Sequence, residues 1–318
     1  MLLWEKNKRG KNSMEEKENF KKKTKKIVSN ITQKSKDTIG TVQQGLTKTM
    51  DRNGDGKIDI EDIIIISLGI PGIRINRAEF LQKELQRYCT QEEISNAIEH
   101  NLTYAKISNE IIDKIADQVI KYERNCVSGI STALSMPGGL AMAATIPTDI
   151  AQYYGYMLRA TQKLMYLYGF PEIDTSERNG TFDSETVNTL TICLGVMYGV
   201  AGANSALKAM ATGLANGISK KIMSTALTKG TLYPIVKNIA KWFGVKMTKK
   251  MLVGVVQKTV PVIGGVVGGG ITFVTFKPCC DKLKKALQNT SLSNPNYVPS
   301  KDDIIVINDI DDEECIKN

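Results

Sequence analysis

Three long stretches without a charged side chain constrain this chain more than any other feature: residues 125–148, 186–207 and 259–276 run for 24, 22 and 18 residues. A helix of about 20 apolar residues is what crosses a bilayer. These stretches, however, are rich in Gly, Ser, Thr and Ala. Pro137 and Pro147 interrupt the first, Pro261 lies near the start of the last, and the mean hydropathy of the whole chain is −0.18. Small residues recur four apart in Gly195/Gly199, Gly213/Gly217, Gly264/Gly268 and Gly265/Gly269, which on a helix leaves a groove for close backbone approach. With only 6% aromatic residues and 26 Gly, the core must be built from small and aliphatic side chains packed closely. The expectation is an all-α chain, a compact helical bundle with small-residue helix pairs. The alternative for these stretches is a membrane span or an inserted hairpin, above all over 251–276.

The formal charge of +9 is unevenly distributed. Residues 1–50 hold thirteen Lys/Arg against five acids, whereas 301–318 hold seven acids against two Lys. From Thr186 to Cys280 there is no Asp or Glu, and the cations of that run are all Lys. Nucleic-acid readers and bidentate phosphate sites favour Arg and interleaved aromatics, so the pattern points to an anionic membrane surface or a solvated face and away from nucleic acid. The candidate membrane-surface residues are Lys208, Lys220, Lys221, Lys237, Lys241, Lys246, Lys249 and Lys250. Ile27, Ile31, Ile39, Val42 and Leu46 recur at roughly helical spacing among the lysines of the first fifty residues, which reads as a basic arm with a weak apolar stripe.

The chemistry available to the chain is limited. His100 is the single histidine, so mechanisms and metal sites that need two imidazoles are excluded. Cys89, Cys126, Cys193, Cys279, Cys280 and Cys315 show no paired CxxC spacing and read as free thiols. The opening MLLWEKNKRGKNS has no apolar segment of the length that secretion requires, so a cytoplasmic location is expected. A non-enzymatic role is the expectation.

The most specific motif is DRNGDGKIDIED at 51–62. A twelve-residue calcium loop needs oxygen ligands at positions 1, 3, 5, 7, 9 and 12, a glycine at 6 for the sharp turn and an apolar residue at 8. Asp51, Asn53, Asp55, the Lys57 carbonyl, Asp59 and Asp62 supply the ligands, and Gly56 and Ile58 fill the other two positions. Asp62 is shorter by one methylene than the usual Glu, which lowers affinity or moves selectivity from calcium toward magnesium. The other reading is an Asx/Gly-rich connector without an ion. A lone loop beginning DxNxDG and ending in Asp is similar to the calcium loops of dockerins, which carry two and are secreted; only local geometry is shared. Ile63–Ile66 are expected to begin the exiting helix.

Residues 126–173 read CVSGISTALSMPGGLAMAATIPTDIAQYYGYMLRATQKLMYLYGFPEI. A small-residue Gly/Pro stretch is followed by Pro147-Thr-Asp149, then Leu158-Arg159 and Tyr168-Gly169, and a second block reads VPVIGGVVGGGIT from Val260. This arrangement resembles the EcsC family of bacterial proteins over most of 75–288. The resemblance implies a mostly α-helical domain in which Pro147-Thr-Asp149 opens a helix and Tyr168-Gly169 closes it. It further implies membrane association and an ABC transporter or other membrane protein as partner, but no catalytic mechanism. Along that helix Asp149, Gln152, Tyr153, Tyr156, Arg159 and Lys163 stand three or four apart on one face. They read either as a buried network that fixes packing or as a polar site for a lipid head group, in which case the chain is a lipid-handling enzyme or carrier. The expected organisation is a basic arm at 1–50, the loop and exiting helix at 51–74, the helical domain at 75–288 and an acidic, disordered tail at 289–318.

Overall fold

The computed structural model describes residues 51–52, 58–134, 141–178, 182–244, 264–294 and 296–300, with residues 129–134, 141–150 and 264–272 described as backbone only. The basic arm, loop residues Asn53, Asp55 and Lys57, the side chain of Asp149, and Lys246, Lys249 and Lys250 therefore lie outside it, as do residues 301–318 of the tail.

The chain is all-α, with no strand among the described residues. In order the helices are α1 (Ile60–Leu68), α2 (Arg77–Leu85), α3 (Gln91–Glu99), α4 (Asn109–Leu134), α5 (Ala141–Leu167), α6 (Ser184–Tyr198), α7 (Ala203–Ala215), α8 (Lys220–Thr228), α9 (233–244) and α10 (Gly264–Gln288). Their starts follow from short polar side chains that accept otherwise unpaired first-turn N–H groups. Asp59, Asn76, Thr90, Asp183 and Ser219 all do so, and Thr90 with Glu93 completes a reciprocal capping box.

α4, α5 and α10 pack on one another, and α6 lies against α1, α5, α7, α8 and α10. Every α6 residue from Leu190 to Met197 is buried. The 186–207 stretch is thus two helices rather than one, buried α6 up to Tyr198 and the start of α7 from Ala203 with a turn between them, and its lack of charge goes with self-burial. Thr191 donates within the helix to the Val187 carbonyl at 2.8 Å, and Thr186 donates to the Asp174 carbonyl in the preceding segment at 2.8 Å. At Gly195 both α7 and α9 come close to α6, since a Cβ there would stand 2.9 Å from both Ala203 Cβ and Ile239 Cδ1.

α5 begins at Ala141, ahead of Pro147, so the proline lies inside the helix rather than opening it. Lacking an N–H, it makes no bond to the residue four before it. The other end is as the motif implies. Gly169 adopts φ +90° and Phe170 N–H reaches back to the Met165 carbonyl at 3.0 Å, a left-handed glycine cap. Residues past Gln288 also belong to the packed body: Thr290 and Leu292 are buried, and Thr103 Oγ1 donates to the Leu292 carbonyl at 2.9 Å.

Candidate functional site

The exiting helix of the loop starts at position 10, Ile60, three residues earlier than the Ile63–Ile66 run suggested. The reason is Asp59, whose Oδ1 accepts the Glu61 N–H at 2.8 Å and the Asp62 N–H at 3.3 Å. Asp62 answers from the first turn. Its carboxylate is fully buried, with Oδ2 accepting the Asp59 N–H at 3.0 Å and Oδ1 accepting the Arg52 N–H at 2.7 Å. One carboxylate therefore ties the second residue of the loop to the ninth and draws the two ends together. A carboxylate offers about four acceptor sites, so taking two backbone N–H groups is compatible with ligation by the same oxygens. Ile60, Ile63, Ile64 and Leu68 bury their side chains almost completely, and α1 packs on α5 and α6, which fixes the loop's exit to the core. Among the described residues no cluster of three or more acidic, Cys or His side chains forms a metal centre; Asp51, Asp59 and Asp62 are the only described members of the proposed ligand set.

A cleft of about 180 Å³ opens beside this exit. Asp59 and Glu61 line one side and Asn188, Thr228, Tyr233 and Lys237 the other. The Lys237 ammonium lies 5.2 Å from the centre of the Tyr233 ring. Its pKa is raised first by hydrogen bonding to Tyr233, then by the attraction of that hydroxyl and of Glu61 and Asp59.

The polar line on α5 resolves into separate environments. Glu123 of α4 is fully buried and accepts from Arg159 Nε at 3.0 Å and Lys163 Nζ at 2.6 Å. Arg159 also donates to the Gly72 carbonyl in the turn after α1, and its guanidinium lies 5.7 Å from the centre of the Tyr156 ring. Burial raises the pKa of Tyr156 and of Tyr153. Tyr153 sits elsewhere, edge-on to Phe276 of α10 at 6.2 Å and to Tyr154 at 5.5 Å. Sequence reasoning missed Glu123, although it stands on the apolar register of α4 with Ile112, Ala116, Val119 and Val127, where an acid requires a partner. It also missed Arg77, whose buried guanidinium donates to the carbonyls of Ala97, Ile98, His100 and Phe170 and so satisfies the end of α3.

Of the candidate lysines, Lys220, Lys221, Lys237 and Lys241 are exposed, and Lys208 is half-buried over the Tyr297 ring at 5.5 Å. Acids distant in sequence partly offset two of them: Asp174 lies 4.0 Å from Lys220, and Glu61 and Asp59 attract Lys237. Comparison of the chain with protein-family models, with curated proteins and with solved structures returns no match.

Proposed function

We propose that this chain is a non-enzymatic, divalent-cation-binding protein that docks peripherally on anionic membrane. The observation that carries the cation reading is the buried Asp62 carboxylate at loop position 12, turned back onto Arg52 and Asp59 from a helix that begins at position 10. Asp51, Asn53, Asp55, the Lys57 carbonyl, Asp59 and Asp62 would hold the ion, calcium or magnesium, whose positive charge would offset the carboxylates gathered at the loop. Docking is supported by Lys220, Lys221, Lys237 and Lys241, exposed and without an intervening acid in their stretch of chain. Each lysine near such a surface contributes about 1 kcal/mol, which salt screens.

The body over 75–288 is read as EcsC-like on its motif residues, with an ABC transporter or another membrane protein as the partner class. The reading of the Asp149/Arg159 face as a lipid-handling site is less supported, because Arg159 is engaged by Glu123 and the Gly72 carbonyl. The test is co-sedimentation with phosphatidylcholine–phosphatidylglycerol vesicles. Binding should weaken with added salt and with Lys220→Glu, Lys221→Glu and Lys241→Glu combined. Binding indifferent to both would overturn the docking reading.

A further inference from the structure

The helices α4, α5 and α10 bring two of the uncharged stretches, far apart in sequence, to one end of a three-helix layer. Lys284 meets Asp117 at 2.7 Å, Gln288 meets Asp113 at 2.8 Å, and Arg124 lies 3.9 Å over the Phe273 ring. Contacts thus climb α4 as they descend α10, so the two are antiparallel and residues 264–272 run beside the far end of α4. Arg159 and Lys163 meet Glu123, while Tyr168 meets Asp113 at 2.6 Å, so α5 is antiparallel to α4 as well. The backbone of 125–134, 141–148 and 264–276 therefore ends at one place, with no charged residue in any of the three segments. Asp149, next in sequence, comes level with about residue 272 by the Tyr153–Phe276 contact and stands at the boundary.

That boundary is marked by side chains of a particular kind. Of the large apolar or aromatic residues exposed among those described, Tyr122, Phe273 and Val274 gather there, 59%, 44% and 68% exposed. Arg124 stacks on Phe273, and Lys277 follows one turn along α10, paired with Asp281. The edge-on contact of Phe243 with Tyr154 at 6.4 Å carries the end of α9, and with it exposed Lys241, to the same level. Aromatic rings with long cations beside an uncharged segment are the arrangement found where a helix passes from head groups into hydrocarbon. Length agrees: at about 1.5 Å per residue, 125–134 extends about 15 Å past Arg124, half of a hydrocarbon core of about 30 Å. No described helix is long and apolar enough to cross a membrane, so the dimension fits one leaflet and not two. The start of α10, with five glycines in 264–270, fits too. Each glycine weakens a helix in water by roughly 0.5–1 kcal/mol, whereas in hydrocarbon the helix is the backbone form that satisfies its own polar groups.

We propose that this uncharged end of α4, α5 and α10 inserts into one leaflet of a phospholipid membrane, with Tyr122, Arg124, Phe273 and Lys241 at the head-group level. The proposal rests on the membrane-docking reading above and adds an apolar anchor that salt does not screen. The full chain carrying Val274→Trp is mixed with phosphatidylcholine–phosphatidylglycerol vesicles, with and without brominated acyl chains, and read over the signal of the unsubstituted protein. The expected result is a shift of emission to shorter wavelength and quenching by the brominated chains, retained in high salt. Phe273→Asp combined with Val274→Asp should lower partition in high salt at least about a hundredfold while the protein stays folded, with a melting temperature lowered only by the lost Arg124–Phe273 stacking, since both side chains are exposed.

Complete release of the unsubstituted protein by salt would leave lysine docking standing and overturn insertion. Affinity and quenching undiminished by both added salt and the Lys→Glu changes would uphold insertion and overturn lysine docking. A shifted emission before vesicles are added would mean that a second copy or another part of this chain covers the end, which also overturns the proposal.

Discussion

Glu123→Gln separates the charge of the α4–α5 contact from its shape. The carboxylate is 0% exposed, and its partners Arg159 and Lys163 are only 20% and 11% exposed. Removing the negative charge leaves two cations facing an amide, in a place where water does not reach the vacated partner. Breaking a buried pair in this way costs about 3–5 kcal/mol. Both cations have long stems that can turn their heads toward water, which places the cost near the lower end, about 3 kcal/mol. For a domain of this size that lowers the melting temperature by roughly 6–12 °C. The assay is urea and thermal unfolding followed by far-UV circular dichroism, with Lys163→Met alone and combined. The double variant should lose less than the sum of the two, because the second change removes a charge already unpaired. A loss under about 1 kcal/mol for Glu123→Gln, the size expected of an exposed pair, would refute the argument.

Gly169→Ala should cost about 1–3 kcal/mol in unfolding experiments, because φ is +90° and the new Cβ would stand 2.9 Å from the Leu292 carbonyl oxygen. Arg77→Met leaves the carbonyls of Ala97, Ile98, His100 and Phe170 without their guanidinium and should cost about 3 kcal/mol; Arg77→Lys, which lacks the fork, should recover only part of it. Burial pushes the Cys193 thiol up from 9.0 to about 12, raises Cys280 as well, and carries Tyr166 from 10.0 to about 12. The unfolded chain releases these protons first, so the contribution to stability falls from about pH 9 to 12 for Cys193, from about pH 10 to 12 for Tyr166 and from about pH 9 upward for Cys280, by about 1.4 kcal/mol per unit for each group. Denaturant titrations across that range check the sign. A thiol reagent at neutral pH should spare Cys193 and Cys280 in the native protein and reach them on unfolding.

The all-α class was legible because the lack of charge over 186–207 leaves buried helices such as α6 few alternatives, whereas the Gly195/Gly199 and Gly213/Gly217 spacings do not form helix grooves, since Gly199 and Gly217 are left-handed glycines past the helix ends. The exit of the loop was legible only in part: the Ile63–Ile66 run announced a helix, but Asp59 caps it three residues earlier, at Ile60. Pairings between distant segments were not. Glu123 shows in the sequence only as an acid on an apolar stripe, and nothing local says that Arg159 and Lys163 will meet it. The acid-free lysine run overstates the local positive charge for the same reason, because Asp174 and Glu61 approach Lys220 and Lys237 through space. The polar line along α5 was drawn on helical spacing alone. Spacing does not reveal that Tyr153 turns to Phe276 while Arg159 turns to Glu123. Leu292 and Thr290 sit in a polar segment that composition assigns to the tail, yet both are buried against the body.

The cation loop is the most specific part of the proposed function, and calorimetric titration of calcium, then magnesium, into metal-stripped protein tests it most directly. The account predicts one saturable site per chain, micromolar or tighter for one of the ions, with a raised melting temperature on loading and loss of both effects in Asp51→Ala. Heats that do not saturate, or a site unaffected by Asp51→Ala, would contradict it and leave DRNGDGKIDIED as a connector closed by Asp62 alone.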